Sequence, residues 1–172
     1  MSRAGHLVRR FLTSLRPGPV APDDDAWARR QLLPGEVALW ERMSRPDRRH
    51  AVEVARRVDE NLTGSAPRAV LAAALTHDVG KVEAGLGTYG RVVATLSGAV
   101  AGHDTAALWS ARRGFTRRVG LYLRHPELGA EMLQLAGSDP LGVAWAREHH
   151  LPEEQWTVPV DVGRRLAEAD DD

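Results

Sequence analysis

The chain contains no cysteine. Disulfides, thiolate metal sites and a cysteine nucleophile are therefore excluded together. Any metal must be held by His, Asp or Glu, a donor set that suits Mn, Fe, Zn, Ni, Co or Mg better than thiophilic ions. Excess charge is also lacking, because 23 Lys and Arg balance 23 Asp and Glu in 172 residues. No net field draws the protein to a polyanion, and specific nucleic-acid binding is not expected. Aromatic residues are few, with two Tyr and two Phe. Together with abundant Ala, Leu and Arg, that scarcity favours helix over sheet. Long hydrophobic runs are missing too. The longest, Val92 to Ala101, is interrupted by Ser97 and Gly98 and is too short to span a bilayer. The first 16 residues lack the apolar core of a signal peptide, so a cytoplasmic protein is expected.

The length fits one domain with a substantial core. Residues 1–16 carry Arg3, Arg9, Arg10 and Arg16 with Leu7, Val8, Phe11, Leu12 and Leu15 at helical spacing. They read as a packed or frayed terminal helix, with contact to a membrane surface as the alternative. A Pro/Gly-rich linker follows, so residues 1–22 form an N-terminal segment and 23–172 a single helical domain. Asp23 to Asp25 open a helix carrying Trp27, and a second helix is expected over 36–43. Asp47 is the expected N-cap of a third, whose stripe is Ala51, Val54, Ala55, Val58 and Leu62. Pro67 is expected in the first turn of the next. Helices over 92–100 and 105–112 are expected to flank a polar turn at Gly102-His103-Asp104. No stretch reads as a strand, and the fold class is all-α.

The most informative stretch is Leu71-Ala72-Ala73-Ala74-Leu75-Thr76-His77-Asp78-Val79-Gly80-Lys81. From Val70 to Leu75 it is apolar on every side, the pattern of a helix buried all round. His77 and Asp78 then fall at the end of an interior helix, where unpaired polar groups are costly. A divalent ion would compensate both, taking imidazole nitrogen and carboxylate oxygen together. A helix C-cap, with both side chains bonded to loop backbone, is the other reading. Gly80 is expected to stop the helix as its C′ residue.

Further candidates lie at helix ends or edges. His50 borders the stripe of the third helix, and Arg57, two turns on, is placed to reach an anion near it. His125 precedes Pro126 at a helix start. His149-His150 closes the helix that Asp139-Pro140 opens. Asp170 lies in a last helix with Val162, Leu166 and Ala169. Glu127 and Glu131 read as solvent-facing or capping residues.

The order His50, His77-Asp78, Asp170 resembles the HD-domain superfamily of metal-dependent phosphohydrolases, most specifically in Thr76-His77-Asp78-Val79-Gly80-Lys81. The likeness covers about residues 35 to 172. His125-Pro126-Glu127-Leu128-Gly129-Ala130-Glu131 and His149-His150 are similar to the HD-GYP branch. After His150, however, this chain has Leu151-Pro152-Glu153-Glu154-Gln155-Trp156 in place of that branch's glycine-rich motif, which argues against cyclic diguanylate as substrate.

The resemblance implies an HD-like helical bundle that hydrolyses a nucleotide or other small phosphate ester through a metal-activated water. It implies one divalent ion on His50, His77, Asp78 and Asp170, with Asp161 as the alternative last ligand. A second ion would take His125, His149 and His150, unless these histidines donate to phosphate as cations. Asp78 is expected to orient or deprotonate the water, and Lys81 to neutralise substrate phosphate. The competing expectations are a catalytically weak HD-type module that binds metal and nucleotide for regulation, and a purely structural helical module.

Overall fold

A computed structural model describes residues 18–87, 90, 93–94 and 103–171, with no side-chain description for His103 and Asp104. The basic segment 1–16 lies outside the described residues, as does the helix expected over 92–100 apart from Val93 and Ala94, which are helical. The described residues form nine α-helices and two 3-10 turns, with no strand. The helices are α1 (Pro22–Gln31), α2 (Pro34–Arg42), α3 (Arg45–Asn61), α4 (Arg68–Thr76), α5 (His103–Ser110), α6 (Gly114–Leu123), α7 (His125–Leu135), α8 (Pro140–Glu148) and α9 (Val160–Asp171). The 3-10 turns are Val79–Glu83 and Glu153–Gln155. The protein is all-α, and none of the described helices is long and apolar enough to cross a membrane.

Helix α4 is the centre of the core because its sequence offers water nothing: every residue from Val70 to Thr76 is buried. The stripe of α3 covers one side of it through Val54, Ala55 and Val58, and α8 packs on another. Helix α9 lies on α3, and α7 lies on both α8 and the Val79–Glu83 turn. This arrangement brings the end of α4, the starts of α3 and α7, and the ends of α8 and α9 towards one place. The linker is not detached from this core, since Val20 is buried within it.

Several local expectations are corrected. Ser44, not Asp47, caps α3: its Oγ accepts from the Asp47 amide at 3.3 Å and donates to Asp47 Oδ2 at 2.7 Å. Asp47 therefore sits in the first turn and completes the cap. Pro67 is the N-cap of α4 and not its first helical residue. His103 and Asp104 begin α5 and do not form a turn. Gly80 is not a left-handed stop, because it lacks a positive φ and belongs to the 3-10 turn that prolongs α4. What it supplies is close approach: a Cβ there would lie 2.0 Å from the carbonyl oxygen of His125.

Helices α5 and α6 form a hairpin joined by residues 111–113. The two approach closely at Gly120, where a Cβ would meet the Ser110 amide at 2.3 Å. A second, smaller apolar cluster of Ala84, Leu86, Ala94, Val119 and Leu121 fixes this hairpin beside the 3-10 turn.

Candidate metal centre

Three of the candidate histidines are set by the same local device. His77 Nδ1 donates to the Ala74 carbonyl at 2.9 Å, His125 Nδ1 to Tyr122 at 2.7 Å, and His149 Nδ1 to Ala146 at 3.0 Å. Each partner lies three residues back, on the last turn of the preceding helix. A carbonyl oxygen can only accept, so Nδ1 carries a proton, and a ring that is neutral presents the lone pair of Nε2. The C-cap reading of His77 thus accounts for one nitrogen and leaves the other.

Those Nε2 atoms meet Asp78. Its Oδ1 lies 3.3 Å from His125 Nε2 and 3.7 Å from His149 Nε2, and its Oδ2 lies 3.4 Å from His77 Nε2. Lys81 forms an ion pair with Oδ2. On the far side, Asp170 Oδ1 accepts from His50 Nε2 at 2.7 Å and lies 3.7 Å from His77 Nε2. The structure therefore draws His50, His77, Asp78 and Asp170 together, with Lys81 beside them. His150 joins Asp78, His125 and His149 in a group whose ligand atoms all lie within 4.8 Å of one another, as do those of His50, His77 and Asp78. Asp78 belongs to both groups. Asp161 belongs to neither: it is exposed in the first turn of α9, beside a surface hollow lined with Arg164, Arg165 and Glu168.

Whether these residues suit a metal is decided by their unmet bonding. His77 Nε2, Asp78 Oδ1, His125 Nε2 and His149 Nε2 are buried and have no hydrogen-bond partner. Each such atom costs about 1–3 kcal/mol when left unsatisfied. Four of them facing one another form a borderline-to-hard N/O donor set, and one or two divalent ions would satisfy all four.

The protonation states of Asp78, His125, His149 and His150 agree with that donor set. Burial opposes charge on Asp78, but Lys81 and then His77 outweigh it and hold the carboxyl well below its usual range. Burial pushes His125 down to about 4, despite the help of Asp78 to the charged form. His149 is lowered by burial as well. His150 is exposed as a residue, yet it too is held below the ordinary imidazole value by loss of water around its ring and then by His149 and His125. These lowered values favour neutral rings at pH 7, suited to ligation, over cations that donate to phosphate. His77 goes the other way: burial lowers it, but Asp78 and Asp170 together raise it above the usual value.

A pH dependence of stability follows for protein stripped with chelator. Between about 4 and 6.5 the unfolded chain binds a proton that folded His125 refuses, so stability falls as pH drops through that window. His149 and His150 act in the same direction, and only His77 opposes them. Thermal melts of the stripped protein should show a falling Tm from pH 6.5 towards pH 4, and His125→Gln should flatten that fall. A Tm that rises on acidification would contradict the neutral state of these rings.

Two contributors were not foreseen from residue types. The Nη1 of Arg57 donates to the Ala169 carbonyl at 2.8 Å and so holds the turn of α9 that carries Asp170, a role the sequence did not announce. Glu148 is buried and accepts from the Thr157 amide at 2.7 Å and the Val158 amide at 3.3 Å. It thereby pins the segment between the His149-His150 end of α8 and the start of α9. Its cue is weak, since a Glu ahead of two His in a helix otherwise reads as a solvated face. Glu148→Ala removes a charged acceptor from two amides and should cost about 3 kcal/mol, read as a lower urea midpoint. Unchanged stability would show that the pin is idle.

Comparison with family models, curated proteins and solved structures finds no match to this chain.

Proposed function

We propose that the protein is a metal-dependent phosphohydrolase of HD type, acting on a nucleotide or another small phosphate ester. The observation that carries this reading is the set of four buried, partnerless donor atoms around Asp78. His50, His77, Asp78 and Asp170 would hold one ion, and Asp78 with His125, His149 and His150 a second. When bound, such an ion lowers the pKa of a water towards neutrality and polarises a phosphoryl oxygen.

The remaining roles belong to the chain. Asp78 lies among three imidazoles and stays ionised, so it can accept a hydrogen bond from water and orient it towards phosphorus. Lys81, paired with Asp78 and with its side chain 12% exposed, supplies positive charge for a phosphate oxygen. The side chains of His50 and Asp170 are 26% and 14% exposed, against 3% for Asp78, so the cluster meets solvent on that side as it does at His150.

The test has two stages. Protein purified without chelator is assayed for metal, and finding less than about a tenth of an equivalent would overturn the reading, because the donor set demands tight binding. Protein loaded with Mn, Co, Ni or Mg is then screened against phosphomonoesters and phosphodiesters. Metal without turnover would favour a regulatory module that binds metal and nucleotide. Turnover that survives the pair His77→Ala and Asp78→Ala would place the activity elsewhere.

A further inference from the structure

The α5–α6 hairpin carries a surface that the metal centre does not use. From Thr105 to Pro126 there is no acidic residue, while Arg112, Arg113, Arg117, Arg118 and Arg124 all fall in that stretch. Two of the five are engaged: Arg118 Nε donates to the Ala84 carbonyl at 3.0 Å, and Arg124 Nη1 to Ser110 Oγ at 3.2 Å. The guanidinium groups of Arg112, Arg113 and Arg117 make no ion pair or hydrogen bond among the described residues, and all three residues are exposed. Elsewhere the arginines are commonly matched, as in Arg29 with Asp25 and Glu41, Arg42 with Glu83, Arg56 with Asp24 and Arg164 with Glu153. Arg30, Arg45, Arg147 and Arg165 are likewise exposed and unmatched among the described residues, but each stands on a different helix, whereas at the hairpin tip three unmatched arginines fall within six positions of a chain that is neutral overall.

The same tip also exposes bulky apolar side chains. Phe115 is 51% exposed and lies between Arg113 and Arg117, and Leu108, one turn before Arg112, is 65% exposed. Large apolar side chains in water next to unpaired guanidinium groups suit a partner with an anionic face over an apolar interior. A bilayer with anionic headgroups has that chemistry, with arginines at the phosphates and Phe and Leu below them. A polyanion such as RNA would satisfy the charge but not Leu108. The hairpin is rigid enough to present the tip, since its helices touch backbone to backbone at Gly120.

We propose that the tip of the α5–α6 hairpin, through Arg112, Arg113, Arg117, Phe115 and Leu108, docks the protein on an anionic membrane surface. This proposal is independent of the phosphohydrolase reading.

The absence of cysteine allows a direct test in the full-length chain. Phe115→Cys is labelled with an environment-sensitive fluorophore, and Leu135→Cys, at the far end of α7 and 90% exposed, serves as control. On vesicles of equal parts phosphatidylserine and phosphatidylcholine, the label at 115 should brighten and shift to the blue, and the label at 135 should not. Neither should respond to pure phosphatidylcholine. In co-sedimentation, Arg112→Ala, Arg113→Ala and Arg117→Ala combined should weaken binding to the anionic vesicles about 100-fold, at about 1 kcal/mol per charge near such a surface. Residues 1–16 stay intact in that variant, so undiminished binding would assign any membrane contact to them and overturn the proposal. A label at 115 that answers poly(U) but not vesicles, or equal responses at 115 and 135, would overturn it as well.

Discussion

Asp78→Asn is expected to leave the protein with little bound metal and to slow turnover at least about 10³-fold. Metal assistance supplies several kcal/mol of transition-state stabilisation, and each 1.36 kcal/mol is a factor of ten. The substitution is nearly isosteric, so the effect is chemical. Both oxygens of Asp78 are used, Oδ1 towards His125 and His149, and Oδ2 towards His77 and Lys81. An amide replaces one of them with an NH2 group, which donates hydrogen bonds and cannot ligate. No rotation of the amide restores both sides, so both ligand groups lose the carboxylate they share.

The same change should also destabilise the metal-free fold. The surroundings of Asp78 hold its carboxyl well below the usual range although burial acts against the charge. Neutralising it takes from Lys81, whose side chain is only 12% exposed, the carboxylate of that ion pair. Breaking a buried pair in this way costs about 3–5 kcal/mol. Chemical denaturation in the presence of chelator measures that cost apart from metal binding. Adding Lys81→Met removes the charge whose pair is broken and should recover part of the stability while recovering no metal. Full metal content in Asp78→Asn would remove Asp78 from the centre.

The part of this centre that can be read from residue order is the part fixed by burial pattern. A run that is apolar on all sides has to lie inside, and a His-Asp doublet at its end has to be compensated there. His50 is legible because the stripe from Ala51 to Val58 fixes which edge of α3 it borders. The rest depends on how separate segments meet. Ser44 and Asp47 are both good capping types three residues apart, and only the backbone entry to α3 decides which of them caps. Glu148 becomes a buried acceptor only because the chain turns back and brings the Thr157 and Val158 amides to it. Arg57 lies on the same side of α3 as His50, as the helical period requires, but its partner is a carbonyl of α9 that no local pattern announces. The device shared by His77, His125 and His149 is local in sequence, yet it is visible only as geometry, since any residue supplies a carbonyl.

Gly80 shows the same limit with the larger structural consequence. A glycine three residues after the His of the doublet fits a helix stop, yet its actual task is to let two backbones touch. Gly80→Ala places a Cβ 2.0 Å from the His125 carbonyl oxygen and 2.6 Å from the Gly129 amide nitrogen. Both obstacles are main chain, so no rotamer change relieves them, and the Val79–Glu83 turn has to part from α7. That separation moves Asp78 and Lys81, on one side, away from His125, on the other. Forced overpacking of this kind costs about 3 kcal/mol or more, which at about 2–4 °C per kcal/mol in a chain of this size lowers Tm by roughly 10 °C. Gly129→Ala is the graded comparison, because its Cβ would lie 3.1 Å from the Gly80 amide and a few tenths of an ångström of give would accommodate it. The expected order is parent, then Gly129→Ala, then Gly80→Ala, in both Tm and metal retained after dialysis. A Gly80→Ala protein with parental Tm and metal content would mean that the turn and α7 are not in contact, and that His125 is not held against Asp78 by this packing.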